Sequence, residues 1–554
     1  SRQAASFCNP DDHAHGWWQD RFVIVCRFVC LRSLQVFLLA GSLLMLGACS
    51  SGSEAPSAPL SAEAPGAFAG PPASNPSSPD PQLDRQWHLD ATALNLPYDL
   101  ALRSLSERGR GQSIALIDGT VNANHPDLGG QLTEASQICC NWAALSPGSA
   151  AGNSSNPAAD QNMLNDLGHA TGLAVLIAGR ENNGFGGRGI ASQARLISFN
   201  AIAIGNDSLL VQAMRAAVGS KATVINHSWS PPDPGQGGSR SFYPAPAAWF
   251  DALDSAQAQG RSGLGAIVVK AAGNGAAYWS PSRWRSDSGD QANYDGFSQH
   301  PLVITVGAVD AFARPLASSE PGAQVLISAF SSQANTPAVD NGTERLPEGS
   351  STATAMISAV AALMLEARPS LTWRDVRWIL ASTARPVPGH DQPGLSSANS
   401  SLRAHGFHQQ VGYGLVDAKA AVDMARSFQG LPPQKTCSAT AAPAPSAPAW
   451  SLPLALQSCA VQRIESVVLT LATSHEDASG LRISLISPSG QGVQLSAPRD
   501  CNSSVCGNLK QGFQFHSVRF MAEAAAGLWS VQIKQEDAKP MGEIMQLQLR
   551  VLGH

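Results

Sequence analysis

Short β-branched runs alternate with helical patterns between residues 80 and 427, and this alternation constrains the fold more than any other feature of the sequence. Apolar strands of this kind are typical of a sheet that is buried on both faces. Strands that alternate with helices form βαβ units, so we predict an α/β domain whose parallel sheet carries helices on both faces. The predicted strands are Ser113–Ile117, Arg195–Phe199, Thr223–Ile225, Ala266–Val269 and Leu302–Val306, and the predicted helices are Thr171–Ala178, Ser208–Val218, Ala247–Gln259, Thr352–Ala367 and Trp373–Ser382.

A different pattern begins after residue 427. Residues 428–452 are rich in Pro and Ala and are predicted to form a linker. Over residues 453–554, short alternating segments recur between Gly, Pro and Ser turns, which is typical of a β-sandwich of about 100 residues. The predicted strands of this second domain are Ile464–Leu471, Leu481–Ser487, Leu528–Ile533 and Met545–Val551.

The first 79 residues resemble an export and anchoring segment. Residues 33–48 form an apolar run that follows two arginines, is too short for a comfortable membrane span and ends in small residues. The tetrad LGAC that ends at Cys49 resembles a bacterial lipobox, although an ordinary signal peptide with a chance cysteine is the alternative. We therefore expect a lipoprotein signal peptide within residues 1–48, a Ser/Pro/Ala-rich tether over residues 49–79, and an exported protein of the bacterial cell envelope. Lipidated Cys49 would anchor it to a membrane, the outer membrane being the expected one, facing the periplasm or the surface.

Composition excludes one class of partner and favours an oxidising compartment. Lys and Arg total 36 against 41 Asp and Glu, so the chain lacks the basic footprint of a nucleic-acid-binding protein. No cysteine pair has CxxC spacing, which argues against zinc. Six of the ten cysteines follow residue 50, as suits an exported protein. We predict two disulfides between cysteines that are close in sequence and leave a vicinal pair open: the predicted bridges are Cys437–Cys459 and Cys501–Cys506, and the open pair is Cys139 and Cys140.

Three polar residues stand where catalytic side chains commonly lie. Asp118 ends the apolar segment SIALID, and His169 and Ser351 each begin a helical segment. Sites in open α/β sheets form at the carboxyl ends of strands, and a helix N-terminus favours negative charge on a nearby oxygen. Asp, His and Ser are together the parts of an activated serine nucleophile. Singly, each has a simpler explanation as a turn former, a surface residue or an N-cap.

Further motifs make the combination specific. These motifs are IDGTVNANHPDL, VVKAAGNG, INHSWSPPDPG, SLTWRDVRWIL, VGYGLVDAKAAVDMA, HSVRFMAE and GLWSVQIKQED. In them the sequence resembles the subtilisin-like serine proteases, and among these the kexin/furin branch. The resemblance covers residues 80–554. It implies a subtilisin-like parallel sheet over residues 80–427, followed by a P-domain, which is a jelly-roll-like β-sandwich, over residues 453–554.

The resemblance also implies roles for individual residues. Ser351 would attack a peptide carbonyl, His169 would take the proton of Ser351, and Asp118 would orient His169. Asn274 would donate a hydrogen bond to the developing oxyanion. The segment Ser228-Trp229-Ser230 would pair with an extended substrate.

Several residues depart from the pattern of the family. Ala170 follows His169 where the family has Gly, Ser230 also replaces a Gly, and Ala355 replaces a Pro. The neighbours of Ser351 are Ser350 and Thr352 rather than Thr and a small apolar residue. No reacting group is removed. Ala170 and Ser230 nevertheless add atoms where close approach is expected, so a weak or inactive surface lipoprotein that binds peptides or partner proteins is the alternative function.

Acidic residues predict the substrate preference. By resemblance, Asp233 and Asp295 form the acidic primary pocket of the branch, which would hold Arg or Lys through charge-assisted hydrogen bonds. The alternative is that both are surface acids at loop ends. For the preceding substrate residue Asp166 is retained, but Gly119 stands where the branch has Asp, and Gln212 lies near the position of a more distant acid. We therefore expect protein or peptide substrates with basic residues and no strict dibasic requirement.

Two sets of residues match calcium sites of the family, and Ca²⁺ is the one cofactor expected. Carboxylate, amide and carbonyl oxygens are its usual ligands. An ordinary polar loop is the alternative for each set. The first set combines the side chains of Asp80, Asp127 and Asn183 with the carbonyl groups of Arg180, Phe185 and Gly187; the second is Asp233, Asp290 and Glu320.

Two further expectations concern maturation and a competing enzyme class. Kexin-branch enzymes usually carry a folded inhibitory prodomain, and the segment between Cys49 and Asp80 is too short and too polar for one. Either maturation proceeds differently or the sequence is incomplete. An esterase of the α/β-hydrolase type is disfavoured, because such enzymes place a G-x-S-x-G serine before the acid and the histidine.

Overall fold

The computed structural model describes residues 79–133, 157–202, 206–232, 241–277, 289–339, 346–390, 406–499, 507–536 and 542–554, with the side chains of the first α-helix described from residue 168 onward. All of these lie within one compact unit, Phe68–His554. The predicted signal peptide, the Cys49 anchor, most of the tether, Asp233, the side chain of Asp166, the Cys139 and Cys140 pair and the predicted Cys501–Cys506 bridge lie outside the described residues.

The first domain is an α/β domain built on a parallel six-stranded sheet, as predicted. Its strands follow the order β2-β1-β3-β4-β5-β6, and every neighbouring pair is parallel. The strands are β1 (Ser113–Asp118), β2 (Arg195–Asn200), β3 (Val224–His227), β4 (Ile267–Ala271), β5 (Val303–Val309) and β6 (Val325–Phe330). The α-helices are α1 (Pro157–Ala178), α2 (Asp207–Gly219), α3 (Ala247–Gln259), α4 (Ser350–Ala367), α5 (Trp373–Thr383) and α6 (Ala418–Ser427).

Helix α4 is the central helix of this domain. It packs against strands β3 to β6 and against α1 and α6, and its residues from Ser350 to Leu365 are all buried. Among the described residues α4 is the one helix long and apolar enough to cross a membrane by length and composition, yet 89% of it is buried inside the protein. Burial by its own domain explains the apolar composition of α4.

The strand order reverses between β1 and β3. From β1 the chain moves outward to β2 and then returns to the other side of β1 to form β3. In open α/β sheets, ligands bind outside the carboxyl ends of the strands at such a reversal. The residues that follow β1 and β3 are therefore the ones that topology places at a binding crevice.

The second domain is a β-sandwich of two antiparallel four-stranded sheets, ordered β11-β10-β13-β8 and β12-β9-β14-β7. The predicted disulfide Cys437–Cys459 is present, with the two Cα atoms 5.6 Å apart. The strands are β7 (Lys435–Ala441), β8 (Ala449–Ala455), β9 (Ile464–Thr473), β10 (Leu481–Ile486), β11 (Gly492–Ser496), β12 (Phe513–Ser517), β13 (Leu528–Gln535) and β14 (Ile544–Gly553).

The structure corrects the prediction that residues 428–452 form a linker. It contains β7 and the start of β8, each of which forms an edge of one sheet. Edge strands tolerate proline and exposed polar residues because one of their sides makes no ladder hydrogen bonds. β7 has no fully buried residue, and Pro453, one residue beyond the segment, lies within β8, so the Pro/Ala-rich composition concealed these strands.

The sandwich packs directly against the α/β domain. Arg374 on α5 makes two hydrogen bonds to the carboxylate of Glu465 on β9, at 2.8 and 2.6 Å. The Tyr413 hydroxyl donates to the carbonyl of Val518 at 2.8 Å, and the amide of His516 donates to the Gln299 side chain at 2.7 Å. These largely buried contacts join the two domains into one body.

Candidate active site

Asp118 and His169 form a hydrogen-bonded pair at the carboxyl end of β1. Asp118 is the last residue of β1 and is fully buried. Its Oδ1 lies 2.7 Å from Nδ1 of His169 and also accepts the backbone N–H of Gly119 at 2.8 Å. A carboxylate at Nδ1 favours the tautomer that carries its proton there, so that Nε2 of His169 is unprotonated, as a general base must be.

His169 lies inside its helix rather than at the start, which corrects the prediction. Helix α1 begins at Pro157, and proline is favoured at a first helical position because its missing N–H has no partner there in any case. The helix carries His169 to Asp118. The next residue, Ala170, is fully buried and belongs to the hydrophobic core.

Ser351 lies in the first turn of α4, as predicted. Gly349 caps the helix with φ of 81°, a conformation that favours glycine, and a Cβ there would lie 2.2 Å from Oδ1 of Asn274. The Ser351 hydroxyl donates to the carbonyl of Ser228 at 2.9 Å, and the Ser228 hydroxyl donates back to the carbonyl of Ser351 at 2.9 Å. The Ser351 hydroxyl is thus hydrogen-bonded to the Ser228 carbonyl, and use of His169 as its base would require a change of acceptor. Such hydrogen bonds often form fully only when substrate is bound.

Asn274 lies in the loop after β4, beside the start of α4. Its Oδ1 accepts the backbone N–H of Ser350 at 2.8 Å and the Ser350 hydroxyl at 3.1 Å. Because a backbone N–H can only donate, this contact fixes which end of the amide faces Ser350. The Nδ2 amino group is therefore the end that can donate to a substrate oxygen, which is the orientation an oxyanion donor needs.

The segment Ser228–Ser230 follows β3 and lies beside Ser351. Ser228 is buried and Trp229 is 9% exposed, and the indole of Trp229 packs edge-on against Trp249 and Phe297. Ser230 is half-buried. The segment thus lies at the reversal of strand order, where an extended peptide could reach Ser351.

Asp295 is already paired within the protein. The Nζ atom of Lys270, on β4, lies 2.7 Å from Oδ2 of Asp295, and the side chains are 0% and 5% exposed. Oδ1 of Asp295 accepts the amide N–H of Phe297 at 2.8 Å. Sequence reasoning missed Lys270, although a lysine inside the apolar strand segment IVVKA was a visible signal that a charge is buried there.

The first calcium set is brought together by the loop after α1. Asp80 accepts the backbone N–H groups of Asn182 and Asn183 at 2.8 and 2.9 Å, and the amide of Asn183 donates to Oδ1 of Asp127 at 2.8 Å. Oδ1 of Asn183 accepts the N–H of Phe185 at 2.9 Å, and the N–H of Arg180 donates to the backbone carbonyl of Asp127 at 2.9 Å. Gly187, in the same loop, is buried.

An unpartnered carboxylate oxygen is the feature of this set that a cation would satisfy. Oδ2 of Asp127 is buried and makes no hydrogen bond, and burial, together with the charge of Asp80 and against the hydrogen bond from Asn183, raises the pKa of Asp127 to about 6. A buried carboxylate oxygen without a partner is costly unless a cation or a proton compensates it. The donor set of two carboxylates, one amide and the loop backbone therefore fits Ca²⁺.

The second calcium set is only partly described. Asp290 and Glu320 are both buried, and Glu320 accepts the N–H of Gly275 at 2.9 Å, next to Asn274. Neither carboxylate presents an unpartnered buried oxygen. Within the described part of the chain, no group of three or more His, Cys, Asp or Glu side chains is placed to hold a metal ion, and the first set has only two carboxylates.

Comparisons with known proteins agree with this architecture. Residues 109–414 match the Subtilase family and residues 464–551 match the Proprotein convertase P-domain. The chain is 26% identical to proprotein convertase subtilisin/kexin type 7 of Mus musculus over 508 residues, which cover 86% of this chain and 61% of the relative. Furin of Rattus norvegicus is 26% identical over 499 residues, covering 86% of this chain and 58% of furin. The chain thus spans about three fifths of the length of these relatives.

A solved structure shows the same fold. The serine protease of Aeromonas sobria superposes with a TM-score of 0.65 and 21% identity, over 90% of this chain and 100% of that chain. Its complex with the chaperone ORF2 gives a TM-score of 0.64 and 20% identity, over 86% and 95% of the two chains. Since the Subtilase match alone covers more than half of the sequence, this chain belongs to the subtilase family, and it carries a proprotein convertase P-domain.

Proposed function

We propose that this chain is a serine endopeptidase whose nucleophile is Ser351. The observation that carries the proposal is the 2.7 Å contact between buried Asp118 and partly exposed His169, on β1 and α1. Both elements pack against α4, which carries Ser351 in its first turn. Membership of the subtilase family supports it. Asn274 would add an oxyanion donor, and the Ser228–Ser230 segment would pair with the substrate.

The mechanism is acyl transfer in two halves. Oγ of Ser351 attacks the scissile carbonyl while Nε2 of His169 takes its proton, and Asp118 stabilises the imidazolium that forms. The Nδ2 group of Asn274 and the backbone N–H of Ser351 donate to the oxyanion, which the N-terminal end of α4 also stabilises. His169 then protonates the leaving amine, and water, deprotonated by His169, cleaves the acyl-enzyme.

In this proposal calcium stabilises the fold and does not take part in the reaction. Asp80, Asp127 and Asn183 would hold the ion, which would compensate the buried charge of Asp127 and so fix the loop after α1 against the α/β domain. Residues Arg180, Phe185 and Gly187 belong to the same loop. No chemical step depends on the ion.

The substrate preference is separable from the endopeptidase activity. The resemblance to furin-like proteases supports substrates with basic residues, which Asp233, Asp295 and Asp166 would recognise. Asp295, however, already forms an ion pair with the ammonium group of Lys270. We therefore limit this proposal to endopeptidase activity on peptides and proteins.

We also propose that the protein acts outside the cytoplasm as a lipid-anchored protein of the bacterial envelope. The disulfide Cys437–Cys459 supports an oxidising compartment, and the LGAC tetrad supports lipidation at Cys49. Labelled fatty acid should be incorporated into the wild-type protein and lost in Cys49→Ala. Equal labelling of the two would contradict the anchor.

Hydrolysis of a protein substrate such as casein tests the endopeptidase. Ser351→Ala should lower kcat by roughly 10⁶, and Asn274→Ala by about 10²–10³ because it removes one oxyanion donor. A matched control is Ser489→Ala, which changes a serine of the β-sandwich and should leave the rate unchanged. Retained hydrolysis in Ser351→Ala contradicts the proposal, and no hydrolysis by calcium-loaded wild type favours the peptide-binding alternative.

A further inference from the structure

A buried lysine occupies the place that the sequence assigned to a substrate cation. The side chain of Lys270 is 0% exposed, and its Nζ atom lies 2.7 Å from Oδ2 of Asp295. The same Nζ donates to the carbonyl of Trp229 at 2.8 Å and lies 4.4 Å from the centre of the Trp229 ring. A carboxylate, a carbonyl and an aromatic face together form a complete environment for an ammonium group.

This ammonium group lies close to the reacting serine along the chain of contacts. Trp229, which accepts a hydrogen bond from Lys270, directly follows Ser228, whose carbonyl accepts the hydroxyl of Ser351. Lys270 also lies on β4, the strand that leads to Asn274. The pair of Lys270 and Asp295 therefore lies directly behind the segment that contacts the nucleophile.

The charge of Lys270 also affects the pKa of a buried neighbour, His227. His227 is fully buried beside Trp229 and Trp249, with ring centroids 5.5 and 5.3 Å away. Burial, and then the charge of Lys270, lower the pKa of His227 to about 3. His227 is therefore neutral at physiological pH, and it adds no second positive charge beside Lys270.

A second cation would gain little electrostatic stabilisation from Asp295. The charge of Asp295 is already compensated, since one of its oxygens is paired with Lys270 and the other accepts an amide N–H. An incoming arginine or lysine would have to displace Lys270 from Asp295 or lie beside it, and like charges in a poorly solvated site repel strongly. An uncharged side chain meets neither cost.

Resting on the endopeptidase function proposed above, we propose that Lys270 is a resident counterion of the primary pocket, which makes the enzyme prefer an uncharged residue before the scissile bond. Lys270 is then a specificity-determining residue that acts by occupying Asp295. The substrate class follows from this: peptides in which the residue before the cleaved bond is apolar or neutral rather than basic.

Peptides that differ only in the residue before the scissile bond test this inference. With Arg, Lys, Leu and Phe at that position, wild type should give a kcat/KM for Arg no higher than for Leu. Lys270→Met should raise the Arg-to-Leu ratio at least about tenfold, because a substrate cation can then pair with Asp295. Lys270→Met/Asp295→Asn should lose that gain, and Lys270→Arg, which keeps a cation, should stay close to the wild-type ratio.

Several outcomes overturn the inference. A wild-type kcat/KM that is higher for Arg than for Leu contradicts it, and so does an Arg-to-Leu ratio that rises less than tenfold in Lys270→Met. Rates are counted per Ser351 that reacts with a fluorophosphonate, so partial misfolding of a variant does not alter the ratio, and the wild-type series decides even if Lys270→Met does not fold. Wild type that reacts with the fluorophosphonate but prefers Arg contradicts only this inference, whereas wild type that neither reacts nor hydrolyses any peptide contradicts the endopeptidase function.

Discussion

Asp295 and Asp127 are both buried carboxylates of the α/β domain, and their surroundings differ in one decisive respect. Asp295 is 5% exposed and pairs with the ammonium group of Lys270 at 2.7 Å. Asp127 is 0% exposed and keeps one oxygen without a hydrogen-bond partner. Both were predicted to meet a cation from outside the chain. The structure supplies a cation to Asp295 from within the chain, whereas the unpartnered oxygen of Asp127 is left for a proton or an added cation to compensate.

The largest expected effect tests whether the pair at Asp295 is a true buried ion pair. Lys270→Met should lower the free energy of unfolding by about 3–5 kcal/mol, because it leaves a buried carboxylate without its counterion. Lys270→Met/Asp295→Asn should recover much of that loss. Urea unfolding of the purified variants measures both.

A matched control for this substitution is Lys419→Met. Lys419 pairs with Asp423 one helical turn away, but both side chains are 40% exposed or more. Exposed pairs of this kind contribute only about 0.3–0.5 kcal/mol. Equal losses in Lys270→Met and Lys419→Met would mean that the pair with Asp295 is no stronger than a surface pair.

Calcium should stabilise the protein through Asp127 and not through Asp295. At a calcium concentration 100 times the Kd, one site that binds only the folded state adds about 2.7 kcal/mol. Titration calorimetry of Asp127→Asn should show one bound equivalent fewer than wild type. Asp295→Asn should bind as many equivalents as wild type, and the assignment of the site to Asp127 is wrong if the two variants bind alike.

The smallest effect is a dependence of stability on pH in calcium-free protein. The pKa of Asp127 is raised from 3.8 to about 6, so the folded state binds a proton that the unfolded state releases. The contribution to stability is fully present below pH 3.8 and is lost as the pH rises through about 6. The difference in melting temperature between wild type and Asp127→Asn should therefore change over this range. Calcium should remove the change by holding the ionised form, and a difference that is independent of pH would contradict the raised pKa.

Much of the fold followed from local patterns, and its departures have physical reasons. Buried strands such as Ser113–Asp118 have an apolar interior, here Ile114–Ile117, and α3 was predicted with the bounds it has. Strands β7 and β8 were missed because edge strands need no apolar alternation. The start of α1 was missed because the segment before His169 has no apolar periodicity.

The candidate site was predictable where position in an element decides the role. Asp118 ends a strand, Ser351 begins a helix, and Asn274 follows a strand, so each could be located from the sequence. The pairing of Lys270 with Asp295 could not, because it joins residues on different elements and depends on the direction of a long side chain. A buried acid needs a compensating cation, but the sequence does not show which group supplies that cation.

The most direct test of the central claim is reaction of the calcium-loaded protein with a fluorophosphonate, followed by mass spectrometry of the labelled peptide. The account predicts one equivalent of label, located on Ser351, and a greatly reduced rate of labelling in His169→Ala, where the base is absent. Label on another serine, or no label on wild-type protein that is folded and calcium-loaded, would contradict it.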